Sequence, residues 1–427
     1  MPSPSFIYRD IYLEGLRELF GLILLPRDTM RFLSASLLMK NSVIELTGTY
    51  GVAKSTFALS VMKMFFSDLW RQPVKPIAKL RETLTEFDVF WYVDIAAMQR
   101  GDEEREVRPR PIVTAPFKFI NEIRRGSPKV YQTLLSLLAE GELEYKGRVY
   151  KSADYICICD SNPKDTASFD IPRALVDRID ARVFFNALGV EGAYRMLRSR
   201  FDGGTIRYSS IIDRVHEMLT SEDMMRVWGD VERVRVPGHV LAFLALFYGS
   251  LQCARQYEIP TIGQSASIDI DRTTIEPHFR LQCDKCPYNG SLCSRLEDVW
   301  GVRWLQSTVK AARALAWIDG RDAASLADVL FAMPYTLNHR LILKDPGSYP
   351  NTFTFIRLYL PNMLRAVREN WTRAVELWAQ YARGDLEALS SLKSLSQRDN
   401  AIRRLVAELE RRAGGTRPVL RHPHQAA

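Results

Sequence analysis

Cysteine is scarce in this chain, with six residues in 427. That is too few for a disulfide scaffold at this length. No apolar run is long enough to cross a bilayer, so a membrane-spanning protein is not expected. The N-terminus lacks the charged-then-apolar layout of a secretory signal, which leaves a cytoplasmic location as the expectation. Long blocks of Lys or Arg are also missing. The net charge is +8, but the excess is spread along the chain. It fits a solvated basic surface, and would also suit an acidic ligand such as nucleic acid. Histidine is sparse too, and His216, His239 and His339 show no ligand spacing.

What is present is an ordinary soluble composition, 47% apolar and 25% charged, in a chain long enough for two or three domains. The stretch "LTGTYGVAKSTFAL" stands out. A short apolar run, Val43 to Leu46, precedes it and reads as a buried strand. A helical pattern follows it. Strand, glycine loop and helix together form the setting of a phosphate-binding loop. Gly48, Thr49, Tyr50, Gly51, Val52 and Ala53 would curl so that backbone N–H groups point inward. Lys54 would reach the outer phosphates of ATP, Ser55 would offer its hydroxyl to Mg2+, and Thr56 continues the helix N-terminus. Ala53 stands where the usual motif has glycine. It is expected to fit by adopting helical dihedrals.

Hydrolysis also needs a metal-positioning group and a base that orients water. "FKFINEIRRGSP" ends an apolar run with Asn121 and Glu122. Glu122 would polarise water. Asn121 keeps an acceptor oxygen but has no charge, so Mg2+ is expected to be held less firmly and hydrolysis to be slow. On this reading Asn121→Asp should raise turnover or lower the Mg2+ requirement. A helix then leads to a hairpin with "KGR" at its tip. The strand "YICICD" follows, with Cys157 and Cys159 as core thiols, and ends in "DSNP", where Asn162 could hold the attacking water. "IPRALVDRIDARV" sets Arg178 beside Asp177 on a short helix.

In this order the segments resemble the Walker A, Walker B, sensor 1 and arginine-finger segments of MoxR-type AAA+ ATPases. That family commonly writes Ala-Lys in its first motif. The resemblance extends to "GVRWLQSTVKAARALAWIDGRDAASLADVLFAMPYTLNHRLIL", similar to the family's lid helices, with Arg303 at the sensor 2 position. "WYVDIAAMQRG" matches the segment before the helix-2 insert, so Asp94 belongs there. The resemblance implies an α/β fold. It comprises a P-loop core of parallel sheet and flanking helices (1–200), a helical lid (201–345) and a helical C-terminal extension (346–427). It also implies a homo-oligomeric, usually hexameric, ring that remodels proteins. In such a ring Arg178 acts in trans, and many relatives work with a von Willebrand A domain partner.

An insert interrupts the lid at about 253–300. Cys283-x2-Cys286-x6-Cys293 gives three thiolates at ligand spacing, and a tetrahedral site needs a fourth ligand. Cys253 and His278 are the candidates. An all-cysteine set is similar to [4Fe–4S] patterns, while Zn2+ suits the same residues. Beyond the lid, helical spacing resumes, with Leu405, Val406 and Leu409 on one face, and the tail "TRPVLRHPHQAA" reads as disordered. Three functions follow: an ATP-driven, chaperone-like remodelling enzyme, a nucleotide-gated scaffold with weak hydrolysis, or a nucleic-acid-associated motor.

Overall fold

The computed structural model describes residues 4–101, 107–163, 171–186, 189–201, 208–252, 291–345, 347, 349, 351–397 and 399–414. Cys253, His278, Cys283 and Cys286 lie outside the described residues, as does the tail from 415.

Five strands form the main sheet: β1 (Ser42–Thr47), β2 (Ile77–Lys79), β3 (Phe117–Asn121), β4 (Ile156–Ser161) and β5 (Ala181–Phe184). Their order is β2-β3-β4-β1-β5, and every pair is parallel. β1 and β4 are buried at all six positions, as inner strands of a sheet covered on both faces must be. The thiols of Cys157 and Cys159 sit in that core. Burial pushes Cys157 up to about 12 and raises Cys159 well above the ordinary thiol value, so both behave as small apolar groups. Parallel strands share one direction. The carboxyl ends of β1, β3 and β4 therefore meet at one edge, where α/β sheets bind ligands.

Helices flank the sheet. Lys54–Phe65 packs on β3 and β4, burying Phe57, Val61 and Phe65. Pro128–Glu140 begins with the Ser127 side chain accepting from Val130 N and with proline in its first turn, a stable N-terminus. It stops at Gly141, whose φ of 71° is left-handed, the usual glycine end. The expected hairpin follows as Glu142–Tyr145 and Arg148–Lys151. Its turn is Lys146 and Gly147, both at positive φ, as a two-residue hairpin turn requires. Asp94 caps the helix Ile95–Gln99 through Ala97 N at 2.9 Å, outside the main sheet. The lid-region helices Arg303–Ile318 and Leu326–Leu337 pack on each other, and the second also on β5.

Contacts divide the chain into two compact units. One holds residues 1–236 and 301–339 and contains the sheet with those two lid-region helices. The other holds residues 237–300 and 340–427. There the helix Gly238–Leu251 packs on Leu360–Ala382 and Asn400–Gly414, and Leu405, Val406 and Leu409 are buried as their spacing predicts. Trp371 stacks edge-on to Phe243 and donates its indole N–H to Asp399 at 2.8 Å. Among the described residues, no helix is long and apolar enough to cross a membrane.

Candidate functional site

The loop between β1 and the helix Lys54–Phe65 turns tightly against β5. A Cβ on Gly48 would lie 2.2 Å from the Phe185 carbonyl oxygen, so no side chain fits there. Gly51 has φ of 77°. Ala53 departs from expectation: its φ is 65° and its ψ 21°. It occupies the left-handed region, where a Cβ crowds the following carbonyl, rather than helical dihedrals. The loop reverses just before the helix, and that reversal demands the left-handed conformation. Tyr50, at the loop apex, is exposed.

Lys54 is buried, and its ammonium donates to the carbonyls of Gly48 at 2.7 Å and Thr49 at 2.8 Å. Burial pulls its pKa down, against the opposing pull of the Asp160 and Glu122 carboxylates. Ser55 Oγ donates to Asp160 Oδ2 at 2.6 Å. Thr56 is buried in the helix's first turn.

Asn121 closes β3 and meets this cluster through its amide. Its Nδ2 donates to Asp160 Oδ2 at 3.0 Å, to Oδ1 at 3.1 Å and to Ser55 Oγ at 3.1 Å. A carboxylate accepts only, so the nitrogen must face Asp160. Glu122 follows at φ 59°, a strained position for a non-glycine residue. Its backbone N–H donates to Asp160 Oδ1 at 2.6 Å. Its carboxylate is half-exposed and pairs with Arg125 at 3.2 Å. Asn162 sits just past β4 at the same sheet edge.

Beneath the loop, Glu45 is buried on β1. It accepts from Ser161 Oγ at 2.7 Å and Arg182 Nε at 2.6 Å. Burial pushes its carboxyl up, but Arg182 and the Ser161 hydroxyl outweigh that and hold it low. This pair ties β1, β4 and β5 together below the site.

Arg178 and Arg303 lie together and apart from the loop cluster. Arg303 pairs with Asp177 at 3.6 Å, and Arg178 feels burial first and then the Arg303 charge, both lowering its pKa. Among the described residues, no hydrogen bond or ion pair joins either arginine to the loop. The adjoining Asp180 is fixed by Val43 N at 2.9 Å and Ser307 Oγ at 2.6 Å.

Asp160 is the residue that reading along the chain missed. The signal was available in the register. β3 and β4 are neighbours paired Ile120 with Cys159, so the residues after them, Asn121 and Asp160, are also neighbours. Ser55 Oγ and the Asp160 carboxylate are hard oxygen donors, the type Mg2+ takes. A buried carboxylate next to a loop hydroxyl therefore fits that ion. Of the candidate cysteine ligands, Cys293 lies among the described residues and is half-buried. Among the described residues, no cluster of three or more His, Cys, Asp or Glu could hold a metal.

A parallel sheet in this order, with a lysine-serine phosphate loop at its carboxyl edge and a lid after it, defines an AAA+ ATPase. Residues 44–179 match the family model for the AAA domain (dynein-related subfamily), and residues 299–352 match that for the AAA lid domain. The chain is 25% identical to Protein MoxR of Methylorubrum extorquens, covering 85% of this chain and 95% of the relative. It is 25% identical to Protein MoxR of Paracoccus denitrificans, covering 76% and 86%. Uncharacterized protein YeaC of Bacillus subtilis is 22% identical over 79% and 91%. A crystal structure of a candidate ATPase from Cytophaga hutchinsonii superposes with a TM-score of 0.61 at 16% identity, covering 84% and 95%. The chain is a MoxR-type AAA+ ATPase, and that class binds nucleotide with Mg2+.

Proposed function

We propose that this ATPase works as a homo-oligomeric, hexameric ring that remodels or assembles a protein complex in a chaperone-like manner. The observation behind this reading is the division of the site. Lys54, Ser55, Asn121, Glu122 and Asp160 form one hydrogen-bonded or charge-coupled group, while Arg178 and Arg303 stand apart from it. An arginine that does not reach its own loop suits a neighbour's γ-phosphate.

The roles follow from position. Residues Gly48 to Thr56 bind ATP, with Lys54 on the outer phosphates and Ser55 toward Mg2+. The ion, when bound, neutralises phosphate charge. Glu122 polarises the attacking water, Asn162 orients it, and Arg303 acts from the lid. The proposed functional parts are a nucleotide-binding core at 1–200, a helical lid at 201–345 and a helical extension at 346–427. Lys54→Ala should abolish nucleotide binding, measured with a fluorescent ATP analogue. Glu122→Gln should keep binding and lose turnover. If Glu122→Gln hydrolyses normally, another group activates the water and the assignment fails.

A von Willebrand A domain protein is the partner class this reading favours, testable by co-purification. The alternative of a nucleotide-gated scaffold rests on the uncharged Asn121 and would show ATP binding with little turnover. A nucleic-acid-associated motor would show ATP turnover stimulated by DNA.

The cysteine insert is a separate proposal, for a [4Fe–4S] cluster or Zn2+ at Cys253, Cys283, Cys286 and Cys293, with His278 as the alternative ligand. Its support is the spacing, together with one side chain. Asn400 Nδ2 contacts both the Gln252 carbonyl at 3.2 Å and Cys293 Sγ at 3.4 Å. Elemental analysis of anaerobically purified protein should find iron with sulfide, or zinc. Finding neither metal removes the proposal.

A further inference from the structure

We propose that Asp160 supplies the carboxylate that position 121 lacks, and that it holds the nucleotide's Mg2+ together with Ser55. This rests on the reading of the loop as the ATP site.

The geometry makes the substitution possible. β4 lies between β3 and β1. Asp160 pairs with Leu46 on the β1 side and touches Asn121 and the Glu122 backbone on the β3 side. The charge has moved one strand sideways, roughly 4.8 Å by sheet spacing, and remains at the same edge. Asp160 is 3% exposed and engages four groups through its two oxygens: the Ser55 hydroxyl, the Asn121 amide, the Glu122 N–H and, electrostatically, Lys54. Among the described residues, no Lys or Arg forms an ion pair with it. The hydrogen-bond donors to its two oxygens are all neutral, and carboxylate oxygens of this kind are the hard ligands that Mg2+ takes.

Asn121 completes the exchange. Its amide donates to Asp160 and to Ser55 Oγ, so Ser55 Oγ can donate to Asp160 and accept from Asn121. A carboxylate at 121 would instead remove the amide donor and place two negative groups within about 3 Å, where they repel each other. The site therefore has one carboxylate and one amide, on exchanged strands, and each fits only with the other.

A purely structural clamp would have the same contacts, so the test reads metal and not stability. Binding of a fluorescent ATP analogue to the full chain is measured in EDTA and across a Mg2+ titration, and Mn2+ binding is followed by EPR. Asp160→Asn loses a negative charge beside the phosphate loop, so it should bind nucleotide in EDTA no more weakly than wild type. It should need roughly 10–100-fold more Mg2+ to reach wild-type affinity. The exchanged pair, Asn121→Asp with Asp160→Asn, keeps the charge and the atom types and should return the Mg2+ requirement toward wild type. An unchanged requirement in Asp160→Asn overturns the proposal, as does an exchanged pair no better than that single variant. Should Asp160→Asn fail to fold by circular dichroism, the exchanged pair decides alone: a wild-type requirement supports the proposal and a raised one overturns it. A wild-type chain that binds no nucleotide in either condition overturns the reading of the loop itself, which Asp160→Asn cannot do.

Discussion

Single residues in this site are held where chemistry needs them and conformation resists. Ala53 at φ 65° and Glu122 at φ 59° are both left-handed, and strain of this kind gathers at functional sites. Glycine would suit position 53 without a Cβ clash. Ala53→Gly should therefore raise stability by roughly 0.5–1 kcal/mol, after allowing for glycine's freer unfolded chain. Thermal melting checks this, and a lower Tm would mean that the alanine is not strained. Asn121→Asp alone is a sharper case. From sequence it should restore a missing charge and speed hydrolysis. With Asp160 at 3.0 Å, it should instead crowd two carboxylates, weaken binding of the metal and lower turnover at least several-fold; faster steady-state hydrolysis would count against the exchange. The loop itself was legible because Gly48, Lys54 and Ser55 are a pattern along the chain. The Asp160 contact was not, because it runs across strands, between residues 39 apart in sequence. The backbone of Ala53 was not legible either: alanine's usual preference is helical, and only the loop's closure against β5 overrides it.

At the scale of elements, β3 carries a cost that its apolar pattern hides. Lys118 lies within this strand and is fully buried. Its ammonium donates to Ile112 O at 2.9 Å, Val113 O at 2.7 Å and Ala115 O at 2.9 Å. Those carbonyls belong to the short helix Pro111–Thr114 and the residue after it, whose end groups have no helical partners. Three donors meet three acceptors, which is the arrangement of the charged form. Burial nevertheless pulls the pKa from the ordinary 10.5 down to about 7. Between those values the unfolded chain holds more protons than the folded one, so stability should rise as pH increases from 7 toward 10.5. Below that window both states are charged and the contribution is flat. Lys118→Met should remove this part of the pH slope and, by leaving three carbonyls unpaired, lower stability by about 2–4 kcal/mol near neutral pH. Denaturant unfolding at several pH values checks both. An unchanged slope would show that Lys118 stays charged throughout. The strands themselves were legible from their apolar runs. The grouping of residues 301–339 with the sheet was not, because contact units depend on packing between segments far apart in the chain.

For the whole molecule, the decisive property is whether a site is completed by a second copy. Arg178 is influenced electrostatically by Asp177, Arg303, Tyr155 and Glu140, and none of these belongs to the phosphate loop. If it serves a neighbour, two different defects should complement each other. Lys54→Ala removes the loop's phosphate contact but leaves Arg178 intact. Arg178→Ala leaves the loop intact but removes the arginine. Each alone should turn over ATP at least about tenfold more slowly, since an arginine of this kind contributes roughly 10³-fold or more in related chemistry. In a mixed assembly, some interfaces pair an intact loop from one chain with an intact Arg178 from the other. Those interfaces should work, so turnover of the mixture should exceed the sum of the two proteins measured apart. The gain should be greatest near equal proportions and should vanish on dilution below the concentration at which the oligomer forms. Size-exclusion chromatography in ATP establishes that mixed assemblies exist, and single-site binding of the nucleotide analogue shows that Arg178→Ala still loads. A strictly additive mixture, with mixed oligomers demonstrated, would mean that each chain completes its own site. Arg178 would then act only through its pairing beside Arg303, and the ring would not be needed for hydrolysis.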